Sequence, residues 1–266
     1  MIIALFTDFG TCDAYVAQLK GAILSIHPTA QLVDLTHQVD AFDVRAAAYL
    51  LDVSARYFPA RTIFVAVVDP GVGTARRPLL LATQAEKFYV GPDNGLFTRV
   101  MEREGLKAAH VLTQSAYFLP RVSATFHGRD IFGPVAAHLA QGVEPAHFGP
   151  CLTEIVRLPY TRPQRVGETI IGEVIHLDHY GNIATNIPSE MLTDLVPGQG
   201  LVLTLADHTE GMLCVETYGA GPQDQLICLI NSNGEFEIAL PRGNASARLG
   251  VRVGETVILR PGRAVA

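Results

Sequence analysis

Tryptophan is absent from the 266 residues, and cysteine occurs only four times (Cys12, Cys151, Cys214, Cys228), never as a CxxC pair. Scattered single cysteines build neither a disulfide framework nor a zinc site, so the chain reads as one from a reducing compartment. No apolar run approaches the roughly 20 residues that a membrane span requires. The start, MIIALFTDFG, lacks the basic flank of a signal peptide and breaks at Thr7-Asp8, which makes it a first strand. A basic surplus is missing too. Twenty Lys and Arg against 26 Asp and Glu give a net charge of −6, which argues against nucleic acid or an anionic membrane as the partner. The expectation is a soluble, cytoplasmic protein.

Several chemical signatures are also lacking. GVGTAR carries the first two glycines of a dinucleotide fingerprint, but Arg76 stands where the third belongs, and no P-loop Lys-Ser/Thr follows. HExxH and GxSxG do not occur. His176 and His179 flank Asp178, yet on a strand end they would point different ways, so no metal site is expected.

What is present is a high apolar content, 48% against 17% charged, enough for well-buried cores. In the first part, IIALF, QLVDL, TIFVAVV, PLLLAT and KFYVG read as strands. They alternate with helical patterns at Tyr15 to Ile26, Asp43 to Tyr57 (with Asp43 as N-cap), Gly95 to Arg103 and Ile131 to Gln141. Buried β-branched runs between helices predict a layered α/β domain with a largely parallel sheet. The connector LPYTRPQRVGE then changes the texture. GEVIHLD, GLVLTLA, GMLCVETY, LICLIN, FEIAL and TVILR are short strands at regular spacing without helices, which predicts a small all-β barrel. Two domains are expected: α/β over 1–155 and β-barrel over 166–266.

The chemistry-bearing stretches lie at strand ends. FTDFG puts Asp8 at the end of the first strand, where open α/β sheets bind ligands, although an Asx-turn would also place an Asp there. VVDPGVGTARRP puts Asp69 at an equivalent end, followed by Arg76 and Arg77, more charge than a turn needs. TFHGRD holds His127 beside Arg129-Asp130; loop histidines are commonly structural. DHYGNIATNI offers Asp178, Tyr180 and Asn182, and INSNGEFEIALPRGNA offers Ser232, Asn233, Glu237 and Asn244. A hairpin turn accounts for Asn233-Gly234 without any ligand.

TDFG, DPGVGT with its Arg, TFHGRD, D-x-(F/Y)-G-N and NSxG occur in this order over nearly the whole chain. In this the sequence resembles the S-adenosylmethionine (SAM) hydroxide adenosyltransferases, relatives of the SAM-dependent chlorinases and fluorinases. The resemblance implies an α/β domain followed by a β-barrel, a homotrimer with sites between subunits, and hydrolysis of SAM to adenosine and methionine without a cofactor. It implies an Asp-Arg-His set at Asp69, Arg76 and His127, and a ribose-gripping carboxylate at Asp8. It further implies an aromatic against the ligand at Phe42, an adenine contact at Asn182, and Asp178 and Ser232 around the methionine end, with Glu237 nearby. ALPRGNA is longer than the matching stretch of the halogenases.

A sulfonium is already a good leaving group, so the task is to place a water in line with the ribose 5′-carbon. Arg76 cannot act as a base and can only orient or stabilise. His127, with an ordinary pKa near 6.5, is the expected proton acceptor. The alternatives are halide transfer to the same substrate, which a carboxylate at position 69 would oppose, and a non-catalytic SAM or adenosine sensor, which needs no base.

Overall fold

The computed structural model describes residues 1–262, which divide into a unit of Met1–Leu158 and a second unit from Pro159 onward. The first is an α/β layer. Strands β1 (Ile2–Thr7), β2 (Gln31–Thr36), β3 (Ile63–Val67), β4 (Pro78–Thr83), β5 (Phe88–Pro92) and β6 (Leu106–Val111) form one sheet in the order β2-β1-β3-β5-β4-β6. The first three pairings are parallel, whereas β4 runs antiparallel to both β5 and β6. The sheet is therefore parallel-rich with an antiparallel edge. Strand β6 (LKAAHV) escapes sequence reading because two alanines, a lysine and a histidine dilute its β signal.

Helices α1 (Tyr15–Ile26), α2 (Val44–Ala55), α3 (Thr98–Glu104) and α4 (Gly133–Ala140) cover this sheet. Asp43 caps α2 as expected, accepting a 2.8 Å bond from the Ala46 N–H. On one side of the sheet Leu5, Val65, Leu19 and Phe132 pack together, and on the other Phe6, Phe64, Leu51 and Tyr89. Each such side chain, fully withdrawn from water, contributes roughly 1.5–3 kcal/mol. The predicted helix from Ile131 to Gln141 is instead two pieces: a π-helical turn over Gly128–Phe132, then α4. Pro134 has no N–H to return to the Asp130 carbonyl, which accepts from Leu119 N at 2.9 Å instead. The wide turn stands directly after His127.

The second unit closes on itself. Its strands are β7 (Gln164–Val166), β8 (Thr169–Leu177), β9 (Ile183–Pro188), β10 (Gly200–Leu205), β11 (His208–Cys214), β12 (Ile227–Ile230), β13 (Glu235–Ala239) and β14 (Thr256–Pro261). The ring runs β14-β10-β11-β12-β13-β9-β8 and returns to β14, with β7 added outside β8. A closed seven-strand barrel leaves no open edge in its ring, and Val174, Leu203, Met212, Phe236 and Val257 fill it. One departure is a short helix, α5 (Ala245–Leu249), where no helix was expected; Asn244 caps it by accepting from Ala247 N at 2.7 Å. Cys214 and Cys228 are distant in sequence yet face each other across the parallel β11–β12 pair, both as buried free thiols. Among the described residues no helix is long and apolar enough to cross a membrane.

Candidate active site

Parallel register fixes the first pair of carboxylates. Thr7 of β1 stands opposite Val67 of β3, so Asp8 and Asp69 emerge just beyond the C-terminal ends of neighbouring strands, the place where open α/β sheets take ligands. Both line a cavity of about 590 Å³, together with Phe42 and His127. Asp8 Oδ2 accepts a 3.0 Å bond from the Phe42 N–H. Phe42 is held at φ +69° and is 69% exposed. A bulky residue in the left-handed region is strained, which the surroundings must hold in place.

Arg76 joins Asp69 to His127. Its Nε donates to Asp69 Oδ1 at 2.9 Å and Oδ2 at 3.0 Å, while Nη2 lies 2.8 Å from His127 Nδ1. The Arg76 and Asp69 side chains are only 9% and 5% exposed, so the pair is no solvated surface ion pair. Arg76 also lies over the Phe132 ring, 5.4 Å from its centroid. Asp69 and His127 form the cavity wall, and Arg76 ties them together without being part of the lining. The expected set of three is thus assembled, with the arginine in a positioning place.

The bond to Arg76 also decides the state of His127. A guanidinium only donates, so Nδ1 must accept and the neutral ring carries its hydrogen on Nε2. Burial, then the positive charge of Arg76, push the His127 pKa below its ordinary value. Neutral His127 therefore presents a donor at Nε2, and the nitrogen able to take a proton is already engaged. This differs from the base role expected from its ordinary pKa.

Two loops hold the set. Gly73 lies at φ +75°, and a Cβ there would stand 2.2 Å from the Ala124 carbonyl, so only glycine lets the Asp69 loop press on the His127 loop. The latter is tied by Asp130, which is wholly buried and accepts from Ser123 N (2.8 Å), Ser123 Oγ (2.7 Å) and Arg129 Nε (2.6 Å). Burial alone would raise the Asp130 pKa, but the bonds from Arg129 and Ser123 outweigh it and hold the carboxyl below its ordinary value.

Sequence reading passed over the aromatic wall. Phe9, Tyr15 and Phe126 also line the cavity and meet edge to face, with centroids 5.5 Å (Phe9–Phe126), 5.4 Å (Tyr15–Phe126) and 6.2 Å (Phe9–Tyr15) apart. The signal was present: Phe9 lies in FTDFG and Phe126 in TFHGRD, each beside a residue that was singled out.

In the barrel unit Asp178 and Asn182 line a separate cavity of about 510 Å³, with Tyr180, Tyr218 and the Leu240–Gly243 stretch. Asp178 Oδ1 accepts from Tyr180 N (2.9 Å) and Asn182 N (2.8 Å), and Oδ2 accepts from Asn182 Nδ2 (2.8 Å). Asp178 forms an Asx-turn that also fixes the Asn182 amide. Glu237 is buried in the barrel wall, accepting from Tyr218 Oη at 2.6 Å and Asn231 Nδ2 at 3.2 Å. It supports Tyr218 rather than lining the cavity itself, and burial followed by that bond raises the Tyr218 pKa. Ser232 sits exposed in the turn between β12 and β13 and does not line this cavity.

The whole length of the chain has relatives. It is 38% identical to the (R)-S-adenosyl-L-methionine hydrolase of Salinispora tropica, over 98% of each chain. Against the enzyme of the same name from Methanocaldococcus jannaschii it is 35% identical, over 94% of this chain and 92% of that one. A fluorinase from an Actinoplanes species is 31% identical over 96% of each. The crystal structure of an uncharacterized conserved protein from Thermotoga maritima superposes with a TM-score of 0.94 at 34% identity, over 97% of this chain and all of that one. The SAM hydroxide adenosyltransferase N-terminal domain matches residues 3–149 and the C-terminal domain of the same family matches 172–258. By sequence along both units and by fold, the chain belongs to the SAM hydroxide adenosyltransferase family.

Proposed function

We propose that the protein hydrolyses S-adenosylmethionine to adenosine and methionine by in-line attack of water on the ribose 5′-carbon. The observation that carries this is the Asp69–Arg76–His127 chain on the wall of a cavity whose other carboxylate is Asp8. In this reading Asp8 accepts from the ribose hydroxyls, and Phe42 lies against the ligand. Asp69 accepts a hydrogen bond from the attacking water and receives its proton. His127 donates to the water oxygen from Nε2. The C5′–S bond breaks as the C5′–O bond forms, its electron pair stays on the methionine sulfur, and the sulfonium charge is quenched without a general acid. No cofactor is required.

The rest of the substrate site is assigned to the barrel: Asn182 to the adenine, and Asp178 and Ser232 toward the methionine end, with Glu237 nearby behind Tyr218. In line with the family resemblance, we assign these sites to the boundaries between subunits of a cytoplasmic homotrimer, each site drawing on the α/β unit of one subunit and the barrel of another. The relatives' names specify an R sulfonium, and we assign the same preference here.

Incubating pure protein with each SAM epimer and chromatographing the products is expected to yield adenosine and methionine in equal amounts, from the R epimer preferentially. Addition of EDTA should leave the rate unchanged. Activity lost to EDTA and restored by zinc would overturn the cofactor assignment. Chlorinated nucleoside formed in high chloride would support halide transfer instead, and no turnover at all a sensor. A second test addresses assembly. Asp69→Ala and Asn182→Ala proteins, each inactive, are expected to regain part of the activity when unfolded together and refolded as a mixture, because some sites then draw both intact halves from different subunits. Full activity from a species with the mass of a monomer refutes the trimer.

A further inference from the structure

The sequence GPDNG at 91–95 leaves a feature that the active-site residues do not absorb. The loop from Val68 to Arg77 leaves β3 and enters β4, but these strands are not neighbours: β5 lies between them. The loop must therefore arch over the C-terminal end of β5, and the two residues that follow that strand sit between its feet. Asn94 Nδ2 donates to the Val68 carbonyl at 2.8 Å, immediately before Asp69. Asp93 N donates to the Arg77 carbonyl at 2.9 Å, immediately after Arg76.

Side chains double the second attachment. Arg77 Nε donates to Asp93 Oδ2 at 2.8 Å, and the Asp93 side chain is 1% exposed. The remaining atoms are held as well: Asp93 Oδ1 accepts from Val156 N at 2.9 Å, and Asn94 Oδ1 from Leu96 N at 3.2 Å. The second arginine of the pair thus points away from the cavity to anchor the loop that the first one serves.

We propose that Asp93 and Asn94 are positioning residues for the hydrolysis, stapling both feet of the loop so that Asp69 and Arg76 meet His127 in reactive geometry. The inference rests on the assignment of Asp69 and His127 to the attacking water. A displacement of about 1 Å in such a constellation can cost on the order of 100-fold in rate. Asn94→Ala frees the Val68 foot while leaving the Asp93–Arg77 anchor intact, and Asp93→Ala removes the side-chain half of the other attachment, leaving the backbone bond from Asp93 N to the Arg77 carbonyl.

Both variants are expected to lower kcat about 10- to 100-fold with KM within about twofold. The His127 imidazole, followed by NMR titration, should also rise toward its ordinary pKa of about 6.5 as Arg76 drifts from it. A purely structural role would lower the melting temperature and leave that titration where it was. If Asp93→Ala does not fold, Asn94→Ala decides alone. Unchanged kcat, or a lost kcat with an unmoved His127 titration, overturns the inference. Asp69→Asn is measured alongside: if it is fully active, the site assignment has failed. If it is inactive while Asn94→Ala is not, the staple alone has failed.

Discussion

Asp69→Asn is expected to lower kcat for SAM hydrolysis by about 100- to 10,000-fold, the usual contribution of a positioned proton acceptor, with KM changed only a few-fold. The substitution keeps the shape of the side chain and removes its charge and its capacity to receive a proton. Affinity should survive because Asp69 meets the water rather than the nucleoside or the amino acid. A loss confined to kcat is the signature of an interaction made in the transition state.

Arg76 should behave as the other half of the same device. It donates from Nε to both Asp69 oxygens and from Nη2 toward His127. A lysine offers a single point charge and cannot reproduce the fork. Arg76→Lys is therefore expected to lose about 100-fold, and the double variant with Asp69→Asn to be little worse than the poorer single one. Removing the carboxylate altogether, as Asp69→Ala, also takes a negative charge off the cavity wall, and some chlorinated nucleoside should then appear in high chloride. Initial rates of adenosine formation for each variant, with and without chloride, test all of this. Asp69→Asn at near-native kcat, or strictly additive losses in the double variant, would refute the pairing.

The sequence made the carboxylates at strand ends legible, because Asp8 and Asp69 each follow an apolar β-branched run and parallel pairing then does the rest. The barrel was legible from strand spacing alone. Other features were not. Strand β9 lies inside DHYGNIATNI, whose polar residues draw attention to a ligand site rather than to the ladder. The π turn after His127 depends on Pro134 depriving the Asp130 carbonyl of its helical partner, a consequence felt several residues from its cause. Above all, neighbouring arginines look alike in a local pattern, and it was the family resemblance that singled out Arg76. Only the insertion of β5 between β3 and β4 sends Arg76 to Asp69 and Arg77 to Asp93, and sheet order is not written in a local pattern. The type of residue suggests a base at His127, while its contact with the donor-only guanidinium of Arg76, which no local pattern announces, favours the donor role proposed above.

His127→Ala is expected to lower kcat about 100-fold, equivalent to about 2.7 kcal/mol of barrier, while His127→Asn recovers much of that loss. An asparagine carries an acceptor oxygen for Arg76 and an N–H for the water, the two functions that the neutral imidazole combines, but it cannot take up a proton. The pH dependence follows from the lowered His127 pKa, whose causes are burial and then Arg76. Protonation would place an Nδ1–H against the Arg76 guanidinium and break the set. For a histidine whose native pKa is depressed, the neutral form's contribution to stability is complete above the unfolded value of about 6.5. It is lost as pH falls through the lower native value. Activity should follow the same direction, with an acid limb in kcat below pH 6.5 and no decline on the alkaline side attributable to Arg76, which stays charged. That acid limb should vanish in His127→Asn, whose side chain does not titrate. Nitrogen-15 shifts of the native imidazole near pH 7.5 give an independent reading, expected to show an unprotonated Nδ1 and a protonated Nε2. A protonated Nδ1, or an asparagine variant as slow as the alanine one, would return the base role to His127 and leave Asp69 to orient it.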